Sequence, residues 1–438
     1  MDKTYEEIRN YLDDIPVIDC HEHTRGHSFS PEYREPIFSL IQGYLQSDLI
    51  SAGATEKEME VLNNQEIETE KKWKIFEPLW KKIENTAYAR VTKIIMEKLY
   101  GEKEMSLEAL KRIADQLLNL KEEKVYYGIL EKAKIKCRLV NIIYGHTEVV
   151  TEIKKFMDGK FLLPSTDRIL IPLIMFHLPV REKTAVENIG QIAGWEVNSL
   201  EKFLHACYHI FQKMKEKGAV GMKDQSAYER IIRFEDTPSS EAEKLFHRIL
   251  SSPRNIIGFP EVKPLDDFLF HRFLEMAGEL KLPVQIHTGH LAGIRNEITN
   301  ANAIHLTPLF ERYKNVRFDL FHGNWPYMGE LLFLAKNYPD VHINFCWVHI
   351  IDPLYSHELL SHALLTLPAN KIHGFGGDYG DTPEYSFAHL EIARNTIASV
   401  LAELIEKNWM DMEKAKQIAR DIFFNNPNQF FNLKFPPV

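Results

Sequence analysis

The sequence predicts an α/β fold: a (β/α)8 TIM barrel with a helical insertion after its first strand. Three observations predict it. Eight short strand-like segments alternate mostly with helical patterns, and four of them end on an imidazole or a carboxylate. The residues behind the first strand read HEHTRG, which is not the glycine-rich phosphate turn of a doubly wound open sheet.

In order, strands are expected at 15–23 (IPVIDCHEH), 137–143 (CRLVNII), 168–175 (RILIPLIM) and 219–224 (AVGMKD). The second four are expected at 283–290 (PVQIHTGH), 316–323 (VRFDLFHG), 341–349 (VHINFCWVH) and 372–380 (IHGFGGDYG). Each is short and rich in β-branched or aromatic residues, and several are almost continuously apolar, as strands covered on both faces must be. Segments 200–215 and 265–280 repeat apolar residues every three or four positions, the helical period. The stretch 24–136 is too long for one strand-to-helix connection and reads as an inserted helical subdomain over the barrel mouth, with the barrel formed by 1–23 and 137–438. Within it, 76–101 reads as one amphipathic helix or a pair. After the eighth strand, helices are expected at 387–409 and 411–424, with NNPNQFFNL as a breaker.

With 45% hydrophobic and 26% charged residues and no run of about 18 apolar residues, the chain has a soluble globular composition and no membrane span is expected. The opening MDKTYEEIRNYLDD lacks the features of a secretory leader, and the four scattered cysteines form no CxxC pair, so a reducing cytoplasm is expected. A net charge of -9 disfavours nucleic acid and anionic membranes, leaving a small-molecule partner, with a homo-oligomer possible.

In a strand, residues i and i+2 share a face, so His21 and His23 project two imidazoles together. His287, His322 and Asp378 close later strands, and barrel enzymes carry their chemistry at that rim. Imidazoles and a carboxylate suit a divalent ion, Zn2+ first, with Mn2+ or Fe2+ as alternatives, in one or two copies. The expected ligands are His21, His23, His287 and Asp378, and the expected catalytic groups Asp378, His322 and Lys223. Each residue taken singly has a structural alternative: a loop hydrogen bond for His287, packing on Trp325 for His322, a helix cap for Asp378. Lys223 has three open readings: a carbamylated bridge, a cationic grip on a substrate carboxylate, or an ion pair with Asp224. Substrate contacts are expected from Tyr88, Arg90, Tyr228, Arg230, His290, Arg295 and Trp325, the arginines pointing to an acidic substrate.

The order His21, His23, Lys223, His287, His322, Asp378 resembles the amidohydrolase superfamily of metal-dependent barrels. The segments IHTGH, FHGNWPY and ARDIFFNNPNQFF, and the KxxxAYxR run of Lys223, Tyr228 and Arg230, are similar to the amidohydrolase-like half of glutamine-synthetase fusion proteins and, more distantly, to uronate isomerases. The resemblance implies a metal-dependent hydrolase that attacks a small acidic amide, ester or lactone with metal-activated water. The same site also suits decarboxylation of an aromatic or unsaturated acid, or uronate-type isomerisation, and a barrel that only binds is the third reading.

Overall fold

The computed structural model describes residues 2–141, 146–161, 163–251 and 256–438. Eight parallel strands, β1 (Val17–Glu22), β2 (Ile135–Asn141), β3 (Asp167–Pro172), β4 (Gly221–Asp224), β5 (Val284–Ile286), β6 (Phe318–Leu320), β7 (Val341–Asn344) and β8 (Ile372–His373), pair side by side in sequence order. The ring is closed beyond β8 by its following loop: Cys20 N–H donates to Phe375 O (3.1 Å), Asp378 N–H to His21 O (2.9 Å) and His23 N–H to Tyr379 O (2.7 Å). This is the expected (β/α)8 barrel, with all eight strands where the apolar runs place them. Residues 142 and 143 of the expected second strand lie outside the described residues.

The apolar runs bury both strand faces. Val17, Ile135, Ile171, Val284, Leu320 and Ile343 join the main core, while Ile18, Cys20, Cys137, Leu139 and Leu170 pack with Phe424, Phe430, Phe431 and Leu433 in a second cluster. C-terminal aromatic residues therefore complete the packing beside β1 to β3.

Several strands stop short of their expected ends, and backbone conformation is the reason. His322, Trp347 and Asp378 all have φ near +60°, which an extended strand does not adopt, so the regular ladders of β6, β7 and β8 stop at Leu320, Asn344 and His373, before these residues are reached. The third strand ends at Pro172, and Ile174–His177 is helical instead.

Between β1 and β2 the chain forms seven helices, from Pro36–Ile41 to Glu123–Lys132. The 76–101 segment is a pair, Thr69–Ile83 and Ala87–Tyr100, the second started by Thr86, whose side chain accepts from Ala89 N–H. Beyond β8, the expected helices are Pro383–Glu406 and Met412–Arg420. The expected breaker at 425–433 is corrected in part: Asn426–Phe430 is a short helix, because its proline sits in the first turn, where no N–H is required. Among the described residues, no helix is long and apolar enough to cross a membrane, and the four cysteines are buried and free.

Candidate active site

The register of β1 sets the first two imidazoles. Ile18 and Cys20 belong to the second core cluster, so plain alternation would aim His21 and His23 away from it. A register shift between Asp19 and Glu22 intervenes, and such a bulge re-aims side chains. As a result His21 Nε2 lies 3.6 Å and His23 Nε2 3.2 Å from the same oxygen, Asp378 Oδ1. The other oxygen, Oδ2, lies 3.8 Å from His322 Nε2, which in turn lies 3.2 Å from His287 Nδ1. Groups of donor atoms within 4.8 Å of one another are His21, His23 and Asp378, and His322, Cys346 and Asp378. His287 adjoins these groups through the His322 ring.

Hydrogen bonds on the far side of each ring fix its tautomer. His23 Nδ1–H donates to Asn141 O (3.0 Å), His322 Nδ1–H to Cys346 O (2.9 Å) and His287 Nε2–H to His290 O (2.8 Å). A carbonyl only accepts, so each neutral ring turns a lone pair inward. His21 does the same through Gln285 Oε1 at 3.2 Å, and its Nε2 is buried with no hydrogen-bond partner among the described residues. Three imidazole lone pairs thus face one carboxylate, and that of His287 faces the His322 ring beside them, an arrangement that repels itself unless a cation lies among the donors. Protonation of the buried rings does not supply that cation. Burial holds His21 and His287 well below the ordinary imidazole range and His322 down to about 3. Burial alone would raise Asp378, but the polar groups that face it, the Lys223 ammonium among them, keep it ionised below the usual carboxylate range. The residues present therefore fit a divalent metal.

Lys223 is the penultimate residue of β4 and is buried; its Nζ stands 3.6 Å from the centre of the Phe321 ring and has no hydrogen-bond partner among the described residues. Phe321 itself meets His21 edge-on at 4.8 Å, so the ammonium sits beside the donor cluster. Burial pulls Lys223 down to about 8 against the opposing pull of Asp378. The Asp224 ion-pair reading of Lys223 is corrected: Asp224 accepts from His177 Nε2 (2.9 Å) and Ser226 Oγ (2.8 Å) instead.

Of the expected substrate contacts, several gather near the cluster. Tyr228 meets the His287 ring at 4.8 Å, and His290 packs on Trp325 at 5.4 Å and on Trp347 at 4.8 Å. Tyr88 stacks on Tyr44 at 5.5 Å. The arginines do not gather there. Arg230 is a correction: it is fully buried and bound to Asp267 and, at 2.8 Å, to Asp266, because helix Lys263–Leu280 presents that acidic pair to it. Arg90 is exposed on its helix, and Arg295 is exposed in the loop after β5.

Three neighbours of the cluster escaped the sequence reading. Tyr44, from the region between β1 and β2, donates its hydroxyl to Asp378 O and stacks on Trp347 at 4.2 Å. Cys346 stands within the His322 and Asp378 group, and Gln285 holds His21. Gln285 had a signal, since it lies two residues before His287 on a strand; Tyr44 had none.

A family model described as amidohydrolase matches residues 255–433. The protein fluG of Emericella nidulans is 27% identical over 240 residues, which are 52% of this chain and 27% of that protein. The uronate isomerase of Thermotoga neapolitana is 22% identical over 269 residues, 57% of each chain. The match thus spans little more than half of one of these relatives and about a quarter of the other. The crystal structure of glucuronate isomerase from Caulobacter crescentus superposes with a TM-score of 0.77 at 17% identity, covering 99% of this chain and 95% of that one, which shows a shared fold. The resemblance to the amidohydrolase superfamily read from the sequence is borne out by these matches.

Proposed function

From that likeness we propose that this chain is a metal-dependent hydrolase acting on a small anionic amide, ester or lactone. The observation that carries the reading is the convergence of inward imidazole lone pairs on both oxygens of Asp378, with the Lys223 ammonium beside them. His21, His23 and Asp378 would hold the ion, with His287 as the fourth candidate ligand, and this nitrogen and oxygen set suits Zn2+, with Mn2+ or Fe2+ as alternatives. When bound, the ion supplies the positive charge that polarises a substrate carbonyl and acidifies water.

The chain's own residues do the rest. Asp378 takes the proton of the attacking water and returns it to the leaving group. His322, with its Nδ1–H committed to Cys346 O, can accept a proton at Nε2 but has none to give there while neutral. Lys223 is therefore the hydrogen-bond donor for a substrate carboxylate or a developing oxyanion. Tyr44, Tyr88 and Trp347 form an aromatic wall that limits water at the centre.

A second reading, aldose–ketose isomerisation of a sugar acid, is supported by the full-length fold shared with glucuronate isomerase, including the region between β1 and β2. The deciding experiment incubates metal-loaded protein with lactones, amides and uronates in oxygen-18 water. Hydrolysis places one heavy oxygen in the product, whereas isomerisation leaves the elemental composition unchanged. If neither substrate class turns over at saturating metal, the catalytic reading fails.

A further inference from the structure

Three of the four imidazoles have their outer N–H fixed by backbone carbonyls, which substitution of a side chain does not remove. His21 alone depends on a side chain. Its Nδ1 faces Gln285 Oε1 at 3.2 Å, and an amide that rotated by half a turn would present N–H instead. The surroundings forbid that rotation. Gln285 Nε2 donates one proton to Cys20 O at 3.0 Å and the other to Asp319 Oδ2 at 3.1 Å, and both of these atoms are acceptors. Asp319 is held in turn by Asn344 Nδ2 at 2.7 Å on Oδ2 and by His373 Nδ1 at 2.9 Å on Oδ1. Gln285, Asp319, Asn344 and His373 are wholly buried, and they come from β5, β6, β7 and β8 in turn. Every donor and acceptor in this row agrees on one orientation of the amide.

We infer that Gln285 is a positioning residue that locks His21 in its Nδ1–H tautomer, so that the Nε2 lone pair always faces the metal position. The inference rests on the reading of His21 as a ligand. Without the lock, His21 distributes between two tautomers, and the Nε2–H form must rearrange before it can bind. Partners of this kind typically alter metal affinity about 10–100-fold when removed.

The test uses the full chain, stripped of metal and titrated with Zn2+ against a chromophoric chelator. Gln285→Met keeps the length of the side chain but removes the acceptor; it is expected to weaken zinc binding about 10–100-fold. Gln285→Glu, held protonated by burial and by the facing Asp319, restores the acceptor for His21 while its O–H donates to Asp319, and is expected to recover part of that loss, which a purely packing role would not produce. Nitrogen-15 shifts of His21 in the metal-free wild type give an independent readout that needs no variant to fold: the Nδ1–H signature is expected. A wild type with His21 in the Nε2–H form, or Gln285→Met binding zinc as tightly as wild type, overturns the inference while leaving the metal reading intact. Failure of the wild type to bind zinc overturns both.

Discussion

Asp378 faces His21, His23 and His322 together, and its replacement is the sharpest test of the proposed centre. Asp378→Asn keeps the shape but removes the charge and the base, so turnover is expected to fall at least about 100-fold, with loss of bound metal seen by elemental analysis. Lys223→Met removes a donor without removing bulk. For an anionic substrate KM is expected to rise about 10-fold or more, while a neutral analogue lacking the carboxylate is affected far less. At this scale the sequence was informative where geometry is local. His21 and His23 are two apart on one strand, and His287, His322 and Asp378 each close an apolar run, so their common rim could be read from spacing. Arg230 could not be read that way, because its fate depends on Asp266 and Asp267, which a helix distant in sequence brings against it. Tyr44 was equally invisible, since nothing near it in the chain indicates that it reaches Asp378.

Strands and helices were legible for the same reason that they form: continuous β-branched runs for the sheet, three-to-four spacing for the helices. Their ends were less so, because β6 and β8 stop at Leu320 and His373, before the imidazole and carboxylate that close the apolar runs, and His322 and Asp378 themselves take a left-handed conformation that their residue types do not announce. The loops they begin are tightly fitted to one another. Gly289, after β5, has φ +71°, and a Cβ there would lie 2.5 Å from Trp325 N and 2.6 Å from Asn324 C. Gly289→Ala is expected to destabilise the fold by about 2 kcal/mol or more and to lower activity, since it displaces the loop carrying His322. The helix Pro353–Thr366 offers a milder perturbation. Asp352 caps it by accepting from Leu354 and Tyr355 N–H and also receives Trp325 Nε1–H at 3.4 Å. Asp352→Ala is expected to cost about 1 kcal/mol in chemical denaturation.

Over the whole molecule, metal and protons are both expected to govern stability. An ion that binds only the folded chain stabilises it by about 2.7 kcal/mol at a hundredfold excess over its dissociation constant, so stripping it should lower the melting temperature and re-addition should restore it. The proton dependence centres on His177. Burial opposes its charge, yet Asp266 at 2.7 Å and Asp224 at 2.9 Å raise it to about 9. The folded state therefore holds a proton that the unfolded chain releases near pH 6.5, and this contribution is complete below that pH and lost as pH rises through about 9. Melting temperature should decline across this window in the wild type, and His177→Gln should flatten the decline; parallel curves would refute the assignment.

Lys223 has a thermodynamic corollary. A cation sealed beside an aromatic ring, with no hydrogen-bond partner among the described residues, strains the folded state until a counter-ion arrives. Inert mono- and dicarboxylates should consequently protect the protein against heat in the order in which they fit, and that ranking would sketch the natural guest before any reaction is known.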